Sequence, residues 1–106
     1  LLPLDAECGV GDCIRAHEEQ HSRDAFAQNP FVCTDFYGFP APSRNAITWG
    51  ALLDWTEERA HKKSAGCLRT KNLTSPCKCK DRLEELAKEH DDYAAGFGLT
   101  AEAPSQ

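Results

Sequence analysis

Between Asp12 and Pro30 no proline or glycine interrupts the chain, and the run is rich in Ala, Glu, Gln and Arg. Such a stretch is committed to one long helix. Asp12 supplies an N-cap and Asn29-Pro30 a stop, which predicts a helix over 12–28 with Cys13 at its start and Ile14, His17, His21 and Ala25 on its buried face.

Inside that helix lies His17-Glu18-Glu19-Gln20-His21. Residues four apart stack one turn above another, so His17 and His21 can aim two imidazole nitrogens at one ion. Glu18 sits about 100° round the helix, where its carboxylate reaches a water on that ion rather than the ion itself. Two His ligands, a third ligand from elsewhere, a water in the fourth position and a Glu to take the water's proton form the donor pattern of a zinc hydrolase. Zinc is the expected cofactor. The bland alternative is a solvated helix whose histidines face water.

The 106 residues suffice for one domain with one modest core. Six cysteines without paired Cys-x-x-Cys motifs predict three disulfides and a secreted or periplasmic location, an oxidising compartment. A thiolate metal site is the competing reading. The net charge of -5, with no basic stripe, argues against nucleic acid, and no apolar run is long enough to span a membrane. Leu1 to Leu4 has neither the basic region nor the apolar core of a leader, so the chain is expected to begin after a cleavage point or inside a longer polypeptide.

Residues 1–11 read as an extended arm tied down by Cys8. Phe31 to Tyr37 could form a short strand, ended by Pro40 and Pro42, and the aromatic loop 31–45 reads as a core lid in preference to a substrate platform. A second helix is expected over 46–65, capped by Ser43 or Asn45 and closed by Gly66, with Trp49, Leu52, Leu53, Thr56, Ala60 and Cys67 facing inward. A third is expected over 79–95, ended by Gly96, with Leu83, Leu86, His90 and Tyr93 on one face; 100–106 reads as a disordered tail. Asn72-Leu73-Thr74 is a glycosylation sequon. The fold class is therefore mainly α: a disulfide-crosslinked three-helix domain, 1–106, with little or no sheet, its HExxH helix packed on a second, Glu-bearing helix.

Geometry prunes the disulfides. The first helix carries the chain about 24 Å away from Cys13, and too few residues follow before Cys33 for those two to pair. If the first two helices run antiparallel, Cys67 returns to the end holding Cys8 and Cys13, either of which can be its partner.

For the third ligand, Asp24, Glu57, Glu58, His61 and His90 compete. Asp24 lies more than a turn below an ion held between His17 and His21, too far for a short side chain. Glu57 falls on the inward stripe of Leu53 and Ala60, where a carboxylate needs a partner, while Glu58 points one position aside. Glu57 is the predicted ligand.

The His17-Glu18-x-x-His21 motif, followed by a helix carrying Glu57-Glu58-Arg59-Ala60, resembles the gluzincin-type zincin metallopeptidases. That resemblance implies His17, His21 and Glu57 as zinc ligands and Glu18 as general base. Gluzincins often place an acidic residue four positions after the ligand Glu; here that position is His61. The Cys-x-x-x-His-Glu-x-x-His phrase with its following Asn-Pro-x-x-Cys also looks like domains of bacterial Rhs-type secreted polymorphic toxins.

Together these observations lead to a secreted zinc-dependent hydrolase, foremost a metallopeptidase acting as a toxin or effector. Its partners would be a peptide or protein substrate and a cognate inhibitor or immunity protein. His61, His90, Tyr93 and Asp24 would support the ligands or stabilise the oxyanion. The alternative is a disulfide-rich, non-enzymatic binding module with a structural or accidental HExxH.

Overall fold

The computed structural model describes residues 1–28 and 49–103. Four helices follow in order, α1 (Pro3–Glu7), α2 (Val10–Gln28), α3 (Trp49–Asn72) and α4 (Cys77–Gly98), with no strand among the described residues. The expected strand at Phe31 to Tyr37, the aromatic loop, the caps Ser43 and Asn45, and Cys33 lie outside the described residues.

Residues 1–11 are not an extended arm. Pro3 opens α1, where its fixed φ suits a helix start and its missing N–H has no partner to lose. The turn is then bolted to α4: Asp5 is buried, with Arg82 Nε 2.8 Å and Nη2 3.0 Å from its two carboxylate oxygens. Cys8 is bonded to Cys79. Gly9 makes the corner into α2 at φ +80°, a conformation that disfavours a side chain, and a Cβ there would also press on the Lys71 ammonium at 3.1 Å.

Helix α2 begins two residues earlier than expected, so Asp12 sits in its first turn, where a carboxylate suits the positive end of the helix dipole; it pairs with Lys71 at 2.8 Å. The inward stripe runs Cys13, His17, Gln20, Asp24, with His21 and Ala25 beside it. Ile14, expected inward, is 47% exposed because it lies one residue round from Cys13, whose disulfide sets the helix's rotation.

In α3 the buried positions Leu52, Thr56, Ala60, Ser64 and Leu68 recur every four residues, which turns the expected inward Leu53 toward solvent. Gly66 does not close this helix. Glycine costs about 1 kcal/mol inside a helix, and burying Leu68 together with the Cys13–Cys67 bond outweighs that. Likewise α4 continues past Gly96 to Gly98, where the absent Cβ leaves room for the Glu58 carboxylate.

The short 73–76 connection makes α3 and α4 an antiparallel hairpin, and Pro76 at the N-cap starts α4. The turn uses the sequon residue: Asn72 Nδ2 donates to Lys80 O at 3.2 Å, and Lys80 Nζ returns a bond to Asn72 O at 2.9 Å. The chain after α4 is not loose at its start. Thr100 donates to Asp54, and the Glu102 amide donates to Ala51 O at 3.2 Å. Residues 104–106 of the expected disordered tail lie outside the described residues.

The core gathers Cys8, Val10, Cys13, Leu68, Cys79, Leu83 and Ala87, with Leu68 and Leu83 its largest fully buried side chains. At about 1.5–3 kcal/mol per large buried aliphatic, these few among the described residues contribute modestly, and the disulfides add to them. The two disulfides close loops of 71 and 54 residues and, in the chain-entropy view, stabilise by about 4 kcal/mol each. Cys67 has thus taken Cys13, one of its two expected partners, and Cys8 has taken Cys79. Of the third expected bridge, Cys77 is exposed and unpaired among the described residues.

Candidate metal centre

Helices α2 and α3 pack antiparallel, so successive turns of one meet successive turns of the other. Cys13 meets Cys67, His17 meets Ser64, His21 meets Thr56 and Glu57, and Asp24 meets Thr56 and Arg59. Helix α4 adds His90, Tyr93 and Phe97 from the other side of α3, against His61.

The hydrogen bonds fix how the two HExxH histidines present themselves. Thr56 Oγ1 lies 2.7 Å from Asp24 Oδ2 and 3.0 Å from His21 Nδ1. A hydroxyl has one proton, and the Asp24 carboxylate, which also accepts from Gln20 at 2.9 Å and Arg59 at 3.0 Å, takes it. His21 Nδ1 is therefore the donor to Thr56, which leaves Nε2 as the nitrogen that faces His17 and Glu57. The same logic holds one turn away: Ser64 gives its proton to Ala60 O at 3.1 Å, so His17 Nδ1 donates to Ser64 at 3.0 Å and its Nε2 faces His21.

Those two Nε2 atoms face each other at 3.2 Å, and Glu57 Oε1 stands 2.6 Å from His21 Nε2. Three electron-rich atoms aimed at one point repel unless a cation lies among them. A tetrahedral ion with bonds of about 2.0–2.1 Å has ligand atoms about 3.3 Å apart. The His17–His21 edge already has that length, the His21–Glu57 edge of 2.6 Å is shorter and is that of a proton-bridged pair, and the ligand atoms of His17, His21 and Glu57 all lie within 4.8 Å of one another. Two imidazoles and a carboxylate at these separations could hold a metal ion.

The electrostatics keep lone pairs available. Burial is the largest influence on His17, His61 and His90, and the neighbouring imidazoles add to it; all three rings are held below the ordinary histidine value. Neutral imidazole is the metal-binding form.

The remaining sequence candidates occupy distinct places. Glu18 is exposed on the α2 surface, near enough to His17 for its charge to oppose that downward shift. Asp24 is 2% exposed and reaches His21 only through Thr56. Glu58 turns away to Lys62, 3.5 Å distant. His61 lies with Nε2 3.4 Å from Glu57 Oε2 and Nδ1 2.8 Å from His90 Nδ1, and Tyr93, itself 58% exposed, stacks on His61 at 5.1 Å.

Sequence reasoning missed Ser64 entirely and took Thr56 only as an inward position. The signal was present: both are small polar residues on the four-residue stripe of Leu52, Ala60 and Leu68, and a buried hydroxyl requires a partner. Comparison of the chain with protein-family models, with curated proteins and with solved structures finds no match in any of the three.

Proposed function

We propose that this protein is a zinc-dependent hydrolase of an oxidising compartment, with a peptide or protein as substrate. The observation that carries this reading is the convergence of His17 Nε2, His21 Nε2 and Glu57 Oε1, with both Nδ1 protons already committed to hydroxyls. The two disulfides support the compartment, and no helix among the described residues is long and apolar enough to cross a membrane.

When bound, zinc would supply Lewis acidity toward a water and toward the scissile carbonyl. The protein's own groups do the rest. His17 and His21 present their Nε2 lone pairs, held in place through Ser64 and the Thr56–Asp24 pair. Glu57 contributes the anionic donor. Glu18, exposed and one residue round from His17, takes the proton of the attacking water and returns it to the leaving group.

A second reading has its own observation. The 2.6 Å His21–Glu57 contact is also a sound ion pair if a proton replaces the metal, as a purely structural role in a binding module would require. Zinc content of the purified protein before and after chelation, paired with cleavage of a broad fluorogenic peptide library, separates the two. Zinc-dependent cleavage supports the hydrolase, and a protein that folds identically and takes up no zinc removes it.

A further inference from the structure

His17 belongs to a second trio. One ring nitrogen each from His17, His61 and His90 lie within 4.8 Å of one another, and this set draws one donor from each of the three long helices. His61 and His90 face each other through their Nδ1 atoms at 2.8 Å, a separation that one proton or one metal ion can satisfy. On the other edge of the His61 ring, Glu57 Oε2 lies 3.4 Å from Nε2, which favours the proton there and leaves the Nδ1 lone pair turned toward His90. The rings of His17 and His61 are 4.6 Å apart, and those of His17 and His90 6.1 Å.

We propose that His17, His61 and His90 form a second position for a divalent cation, overlapping the first and exclusive of it. Exclusivity follows from His17. Its Nδ1 is committed to Ser64, so only Nε2 can bind an ion, and one lone pair serves one ion. The ion therefore has two positions: one with His21 and Glu57 between α2 and α3, the other with His61 and His90, tying α4 to both. The first donor set carries one negative charge and the second none. Three neutral imidazoles suit zinc, copper or nickel and exclude the oxygen-preferring calcium and magnesium. This inference rests on the metal-centre reading through His17 alone, and not on hydrolysis.

The test is the zinc stoichiometry, by elemental mass spectrometry after dialysis against zinc, of the full chain and of His17→Ala, His21→Ala, His90→Ala and the His21→Ala/His90→Ala double variant. Helical circular dichroism and intact disulfides serve as the folding control, and His→Asn versions replace any variant that fails it. The expected result is about one ion per chain in the wild type and in each of the His21 and His90 single variants, and none in the double variant or in His17→Ala. Cobalt(II) in place of zinc should give different absorption bands in the two single variants, because one retains a carboxylate donor and the other does not.

Loss of zinc from His21→Ala while the wild type retains it overturns the second position and leaves the hydrolase reading intact. Loss from His90→Ala but not from His21→Ala supports the three-histidine position and removes the hydrolase site. A wild type that binds no zinc overturns both.

Discussion

The Thr56 hydroxyl stands between His21 and Asp24, accepting from Nδ1 at 3.0 Å and donating to the carboxylate at 2.7 Å. That single proton assignment turns the His21 lone pair toward His17 and Glu57. Thr56→Val keeps the volume and removes the relay. Zinc affinity should fall about 10–100-fold, the usual cost of losing a group that orients a metal-binding histidine. Competition with a chromophoric chelator reads it, and unchanged affinity would show that the ring is oriented by packing alone.

Glu18 is exposed, and the proposed hydrolysis gives it the water rather than the ion. Glu18→Gln should retain zinc at wild-type stoichiometry and lower the hydrolytic kcat by about 10²–10⁴-fold. Zinc loss in this variant would move Glu18 into the ligand set and force a different base.

The pH response of the metal-free protein follows from burial, the main cause holding His17, His61 and His90 below the ordinary histidine value. Folded, these rings bind fewer protons than they do unfolded. Stability should therefore be full above the unfolded value of about 6.5 and decline as pH falls through and below it. Urea midpoints with a chelator present should be lower at about pH 5.5 than at about pH 7.5, and the reverse order would contradict the assignment of neutral rings.

Among the described residues few large side chains are buried, and the disulfides should contribute heavily to stability. Replacing both Cys13 and Cys67 by Ser should cost about 4 kcal/mol by urea unfolding. Non-reducing peptide mapping should recover Cys8 joined to Cys79 and Cys13 to Cys67. Recovery of Cys8 with Cys67 would refute the packing of both helix pairs.

Much of this arrangement was legible locally. A proline-free run marked α2 and the four-residue spacing placed His17 above His21; Glu57 does lie beside His21, although the stripe that pointed to it is not the inward one, since Leu53 faces solvent. What failed was punctuation and register. Gly66 and Gly96 look like helix ends, but Leu68 buried and Cys67 bonded carry α3 through the first, and α4 runs on past the second. Residues 1–11 look like an extended arm, yet Pro3 opens a turn held by Asp5 and Arg82, 77 residues apart. The roles of Ser64 and Thr56 depend on which turn of α3 lies beside which turn of α2, and no local pattern encodes that.

The Cys13–Cys67 bond lies one turn from His17 and three residues from Ser64, at the head of the ladder on which the histidines sit. Two antiparallel helices with four-residue stripes have near-equivalent alternatives, in which one slides past the other by a full turn of about 5.4 Å. Such a slip would present His21 to Ser64 and set His17 beside Leu68, scattering the donors. A covalent rung admits only one of these alignments. The Cys13–Cys67 bond thus excludes the slipped alignments of this helix pair.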